Sequence, residues 1–355
     1  VPEYPGVDQE RRIPVAQLEQ AVTEIFVRCG MSEQHAGIVA ASLVHADLRG
    51  VHSHGVMRVP EYAEKLLAGG VNPRGKPSVA RDSGSAIVVD GGNSLGQIGA
   101  TFAMREAITR AQTTNIAVAA VRGSNHCGAL AFYAMMALPE NMAGFGATNA
   151  LPTMAPWGGR DKIVGINPVA IAIPADQEDP LVFDAAFSYS SHGKIRVYHQ
   201  KGCPIPPTWA FDEEGRPTTD TVKAMQGLLQ PIGEYKGVGL AIMSGVLSSL
   251  LSGAAYGAEL GDMVRGPKAG QDGHIFAALR IAAFVEPQQF KSRVDDIVRQ
   301  IRTSSRAPGV DRIWAPGGLE ADIERRYRRE GIPLNEETLK GLRETARRLG
   351  VRPLA

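Results

Sequence analysis

The sequence lacks most of the features that mark common binding classes. Its 355 residues hold three cysteines, Cys29, Cys127 and Cys203, an odd number without CxxC spacing. That indicates neither a disulfide framework nor a zinc knuckle, and a reducing compartment is expected. No apolar run approaches the ~20 residues a spanning helix needs, and the first residues lack the charged-then-apolar pattern of a signal peptide. The expectation is a soluble, cytoplasmic protein with no membrane partner. Lys and Arg total 38 against 37 Asp and Glu, and a net charge of +1 offers no global field to nucleic acid. Any anion site must be local. No GxxxxGK[ST] occurs, and no GxGxxG follows a strand. The nearest imitation, GGNSLGQIG at 91–99, has the wrong spacing and no acidic residue about 20 positions further on. A Rossmann site and a P-loop are both disfavoured.

What is present is an alternation of helix and strand signals punctuated by 40 glycines and 23 prolines. Apolar Val15, Leu18, Val22, Ile25 and Cys29 recur every three or four residues and predict a helix over 14–29 that ends at Gly30. Ser32 caps a second helix running to Gly50. Pro60 is tolerated only in a first turn, so a third helix starts near Met57, with His54 just before it, or kinks there. Strands are expected at 86–90, 116–121, 142–147, 169–173, 181–184 and 275–285. Further helices are expected at 97–113, 130–138, 239–251, 291–302 and 336–349. Residues 204–231 read as surface loop and hairpin. The pattern argues for α/β architecture, with the helical opening segment and tail packing together.

The richest stretch is DLRGVHSHGVMRVPEY at 47–62. On a continuous helix His54, Arg58 and Tyr62 fall at i, i+4 and i+8, which places an acid/base group, a cation and a phenol on one face. Such a trio suits a carboxylate substrate and proton transfer. His126 lies in GSNHCG directly after a buried strand, where a loop presents it at the mouth of a sheet, and an imidazole suits proton exchange with a carbinol oxygen. Its alternative role is to cap the following helix. Cys127 reads as a small packed residue. Thr148 and Asn149 either hold a nicotinamide amide or a phosphate, or are ordinary Asx-turn residues. Asp184 ends a strand, and either accepts a hydrogen bond from a ribose hydroxyl or caps the next helix. His192 and Lys194 either meet a phosphate or, the plainer expectation, stand in a solvated loop. Lys236, at a helix start, opposes the helix dipole unless an anion is nearby.

Several segments stand together in order: DLRGVHSHGVMRVPEY, GSNHCGA, TNALPTMAPWGG, GINPVAIAIP, FDAA followed by GKI, PTTD, KGVGL, and APG followed by PGG. The set resembles the malate/L-lactate dehydrogenase-like family over about residues 14–350. That family also includes ureidoglycolate and sulfolactate dehydrogenases, diketogulonate reductase and the piperideine- and pyrroline-2-carboxylate reductases. The resemblance implies a non-Rossmann α/β fold, with a helical domain built from the N- and C-terminal segments, a mixed-sheet cofactor-binding body, and a homodimer. It divides the chain into 1–76 packed with 320–355, an α/β domain of 77–125 plus 275–319, and a cofactor domain of 126–274. It further implies acid/base roles for His54 and His126, and substrate binding by Ser53, Arg58 and Tyr62. NAD or NADP would bind at Thr148, Asn149, Asp184, Ala185, Ala186, Lys236, Pro316, Gly317 and Gly318, with no metal. Two departures stand out. Ala150 replaces the family's usual Ser, and Ala185, Ala186 and Phe187 replace Met-Ala-Thr/Ser, which leaves the choice between NAD and NADP open. The implied activity is hydride transfer between a small 2-hydroxy acid and its 2-oxo acid. The alternatives are NADPH-dependent reduction of a cyclic imine carboxylate, or a non-catalytic small-molecule-binding homologue.

Overall fold

A computed structural model describes residues 4–262, 266 and 268–354. Its centre is a seven-stranded mixed sheet in the order Ser78–Asp82, Ala86–Asp90, Ile116–Ser124, Asp272–Arg280, Met142–Thr148, Val169–Ile173, Leu181–Ala185. Only Ala86–Asp90 and Ile116–Ser124 run parallel; every other pair is antiparallel. The two central strands are rich in alanine and β-branched residues, small enough to let the helix Gly96–Thr114 lie close on the sheet. Its Ala100, Ala103, Met104, Ala107 and Ala111 share one core with Ala119, Val121, Phe276 and Ala278. The helix Tyr235–Ser249 also comes close to the sheet: a Cβ on Gly273 would stand 2.5 Å from the Ser248 carbonyl oxygen, so only glycine fits there.

A second core joins the two ends of the chain. Leu18, Val22, Phe26 and Leu43 from the helices Val15–Arg28 and Glu33–Leu48 pack with Ile323, Tyr327, Leu339 and Leu342. The short strands Arg11–Ile13 and Ile332–Leu334 pair antiparallel beside them. Ser32 accepts a hydrogen bond from the His35 amide at 3.2 Å, the cap its position predicts.

Some sequence expectations need correction. The strand expected at 275–285 is Asp272–Arg280, and Ile281–Ala283 forms a 3-10 turn after it. The helix expected from 239 begins at Tyr235, and the one expected from 291 begins at Pro287, where proline sits in the first turn without losing a hydrogen bond. His192 and Lys194, expected in a solvated loop, lie in the helix His192–Gln200, which Ser191 caps by accepting from the Lys194 amide at 3.1 Å. The surface tract contains the helix Thr221–Gln226, capped by Asp220. No helix among the described residues is long and apolar enough to cross a membrane.

Candidate active site

The stretch 47–62 is not one helix. After Glu33–Leu48 the chain makes two 3-10 turns, His52–His54 and Val56–Arg58, before the helix Val59–Leu67 begins with Pro60 in its first turn. Asp47, 1% exposed, holds both turns: one carboxylate oxygen bonds His52 Nδ1 at 2.7 Å and the other accepts from the Val56 amide at 2.7 Å. A Cβ on Gly55 would meet that carboxylate at 2.1 Å. Glycine is thus required for Asp47 to reach across.

This turn buries Arg58 and fixes its direction. Its Nε donates to the Ser53 carbonyl at 2.8 Å and its Nη1 to Glu61 at 2.8 Å. Arg196, from the helix His192–Gln200, pairs with the other Glu61 oxygen. Burial raises the Glu61 pKa, but the two guanidiniums outweigh it and hold the carboxyl below its ordinary value. Gly193 leaves room for Arg58, since a Cβ there would lie 2.4 Å from Nη2.

His126 follows the strand Ile116–Ser124 on a loop anchored by Asn125, whose amide donates to the Ser94 carbonyl at 2.8 Å and whose oxygen accepts from the Gly270 amide at 2.9 Å. His126 Nδ1 lies 2.6 Å from Tyr62 Oη, and Gln97 Nε2 donates to the same oxygen at 3.3 Å. These two contacts hold the imidazole in one orientation in the wall of the site. The rings of His54 and His126 stack with centroids 5.6 Å apart. Burial, then the Arg58 charge, pushes the His54 pKa down to about 3. Burial, then His54 and Arg58, lowers that of His126 well below its ordinary value. Both imidazoles are therefore neutral, a pair of bases beside a cation.

Two clefts of about 320 Å³ each meet at His54, Ile166 and Ser191. One is lined by Arg58, His126, Arg196, Leu151, Met225 and Asp272. The other is lined by Arg49, Leu130, Asp184, Ala185, Ala186 and Lys194. Asp184 accepts from the Ala131 amide at 2.7 Å, so it caps the helix Ala131–Ala134 and not the helix that follows it in sequence. Its side chain is nonetheless exposed to the cleft, and its crowded surroundings push its pKa up to about 6.

The structure brings Ser53, His54, Arg58, His126, Asp184, Ala185 and Ala186 to these walls. It does not bring the other expected residues there. Tyr62 is 1% exposed and reaches the site only through His126. Thr148 bonds His274 Nδ1 at 2.7 Å, and Asn149 bridges the Ala255 carbonyl and the Gly273 amide, so both brace strands from inside. Lys236 is exposed at the start of its helix, outside both clefts. Pro316, Gly317 and Gly318 lie against the strand Leu181–Ala185: the Pro316 carbonyl accepts from the Val182 amide at 3.1 Å, and Gly317 takes a φ of 83° with no space for a side chain. Pro316 and Gly318 border a smaller cleft of about 80 Å³. Sequence reasoning missed Glu61, Arg196 and Asp272. Glu61 sits at i+3 from Arg58, a spacing that signals a helical ion pair, and Ser191 three residues before Lys194 signals the cap of the helix carrying Arg196. Nothing comparable marks Asp272. Among the described residues no cluster of His, Cys, Asp and Glu side chains could hold a metal ion.

Neutral imidazoles and a fixed guanidinium thus stand in one cleft, with a second cleft alongside. The comparisons give the class: the chain belongs to the malate/L-lactate dehydrogenase family, whose model matches residues 13–343. It is 36% identical over 351 residues to the malate dehydrogenase of Pyrococcus horikoshii, covering 97% of each chain. The structure of that enzyme superposes with a TM-score of 0.90 over 98% of both chains. The L-sulfolactate dehydrogenase of Methanocaldococcus jannaschii is 34% identical, over 94% of this chain and 96% of its own. The NAD(+) ureidoglycolate dehydrogenase of Escherichia coli K12 is 31% identical, over 90% and 91%.

Proposed function

We propose that the protein is an NAD(P)-dependent oxidoreductase that interconverts a small 2-hydroxy acid and its 2-oxo acid. The observation that carries this reading is the meeting of two clefts at His54, with Arg58 and His126 on one side and Asp184 on the other. The second cleft suits a nicotinamide dinucleotide. Leu130, Ala131, Ile166 and Val182 offer apolar faces for rings, and Asp184 is an exposed acceptor for ribose hydroxyls. Bound there, NAD or NADP takes up or supplies the hydride. The protein's own residues do the rest. Arg58, with Nε and Nη1 already engaged, offers Nη2 to the substrate carboxylate, and Arg196 adds a second cation. A neutral histidine accepts the hydroxyl proton during oxidation and returns it during reduction. His126 is placed for this by Tyr62 and His54 by Ser53, whose Oγ lies 2.9 Å from Nδ1.

The finer readings are ours too. Residues 1–76 and 320–355 form a helical unit, supported by the core their helices share. The sheet is a non-Rossmann arrangement, supported by its single parallel pair. The working form is a homodimer. Leu240, Met243 and Leu247 are 52%, 61% and 45% exposed, an uncovered apolar stripe that a second copy would bury. Three unpaired cysteines support a cytoplasmic location.

The test is absorbance at 340 nm with NADH and NADPH against pyruvate, oxaloacetate, 2-oxoglutarate, sulfopyruvate, diketogulonate and pyrroline-2-carboxylate. Turnover of at least one 2-oxo acid is expected. Turnover of the imine alone would move the assignment to imine reduction, and silence with both cofactors would remove hydride transfer.

A further inference from the structure

The substrate-side cleft contains a carboxylate that proton transfer does not use. Asp272 opens the strand Asp272–Arg280 opposite Ser124, two residues before His126, and lines the cleft with His54, Arg58 and His126. Gly270 makes room for it: a Cβ there would stand 2.4 Å from Asp272 Oδ2. Among the described residues no other side chain bonds this carboxyl. The Lys65 ammonium, which attracts this carboxylate, donates to the carbonyls of Asp262 and Lys268.

The charges of the cleft can be summed by residue. Arg58 and Arg196 share Glu61, which leaves one positive charge unmatched, enough for one substrate carboxylate. Beyond that cluster the wall is Leu151, Met225 and Leu229 with Thr153 and His192. Thr153 Oγ1 and His192 Nε2 are buried without a hydrogen-bond partner among the described residues. Burial, then Lys162 and Arg58, lowers the His192 pKa to about 4, so it adds no cation. Among the described residues that line the cleft, Asp272 is the formal charge outside the Arg58–Glu61–Arg196 cluster.

We infer that Asp272 sets substrate charge, so that the site takes monocarboxylic 2-oxo and 2-hydroxy acids whose far end is apolar or a neutral hydrogen-bonding group. A second acidic group on the substrate would meet Asp272 in the cleft, while the ammoniums of Lys65 and Lys162 are turned to backbone carbonyls. The unmet hydrogen bonds of Thr153 and His192 suit a neutral polar tail instead. This inference rests on the hydride-transfer reading above.

The test compares the wild type with Asp272→Asn, which keeps the shape and removes the charge. It is run at pH 8, above the pKa of about 7 to which burial raises this carboxyl. Two measurements are made: kcat/KM for pyruvate and 2-oxobutyrate against oxaloacetate and 2-oxoglutarate, and the Tm shift given by oxamate against its dianionic analogue oxalate. The wild type should favour the monoanions by about tenfold or more, and Asp272→Asn should lower that ratio about tenfold through the KM of the dianions. Oxalate should stabilise the variant more than the wild type. A wild type that prefers oxaloacetate, or a ratio and oxalate shift unchanged in Asp272→Asn, overturns the assignment while leaving hydride transfer intact. Absence of turnover with every 2-oxo acid overturns both, and the oxamate and oxalate shifts then report whether the cleft binds carboxylates at all.

Discussion

Tyr62 Oη stands 2.6 Å from His126 Nδ1 with Gln97 donating to the same oxygen, so a buried phenol, itself outside the cleft, fixes the orientation of the imidazole. Removing that hydroxyl should free the ring to rotate and exchange tautomers. Tyr62→Phe should lower kcat roughly 10- to 100-fold with KM nearly unchanged, as losses of orienting partners do elsewhere. Steady-state kinetics in both directions check this. A rise in KM alone would show that Tyr62 contacts substrate.

Arg58 is held as a fork by the Ser53 carbonyl and Glu61, a geometry that an ammonium does not reproduce. Arg58→Lys should raise KM about tenfold or more, the cost of one charge-assisted hydrogen bond. An unchanged kcat/KM would remove Arg58 from the substrate site.

His54→Ala and His126→Ala should each lower kcat roughly 100-fold. The pH dependence separates these histidines from ordinary ones. Burial and the Arg58 charge hold the His54 pKa at about 3, and His126 is lowered in the same sense. A lowered pKa keeps the base form present as pH falls, so kcat/KM for hydroxy-acid oxidation should pass through about pH 6.5 without the loss an unperturbed histidine shows. Rate profiles in the oxidative direction between about pH 5 and 8 read this directly. A tenfold drop per pH unit beginning near 6.5 would mean that the base titrates normally.

Gly55→Ala forces a methyl group to within 2.1 Å of the Asp47 carboxylate that ties the two 3-10 turns together. Overpacking of this kind costs about 2 kcal/mol or more, which for a chain of this size lowers Tm by roughly 3 °C or more. Calorimetry of the variant checks it, and activity should fall with the turn that carries His54 and Arg58.

Met243→Glu places a charge at the centre of the exposed stripe on the helix Tyr235–Ser249. Sedimentation should show the wild type as a dimer and the variant shifted toward monomer. A wild type that sediments as a monomer would leave the stripe without its partner.

The main strands and the longer helices were legible because their patterns are local: Ala86–Asp90 is a bounded apolar run, and Val15–Arg28 repeats every three or four residues. Residues 192–200 were not, since SYSSHGK has loop composition and its helix depends on one cap and on burial of Ile195 and Val197. His54, Arg58 and His126 stood out by residue type. Glu61, Arg196 and Asp272 did not, because their importance lies in the partners that folding brings to them from distant positions. Thr148 and Asn149 show the opposite case. Polar residues in a glycine-rich loop read equally as ligand contacts or as turn residues, and here they meet His274, Gly273 and Ala255.

The pairing of Arg11–Ile13 with Ile332–Leu334 bears on how the chain is made. The first helices leave the ribosome some three hundred residues before Ile323, Tyr327, Leu339 and Leu342, which complete their core. Until those residues emerge the apolar stripe is covered only in part, by neighbours such as Val59, Leu95 and Ile98, and the loop that must close spans some three hundred residues. The core beside the segment that bears His54 and Arg58 is therefore complete only once Ile323, Tyr327, Leu339 and Leu342 are in place, and a nascent chain halted before them exposes an unfinished apolar surface.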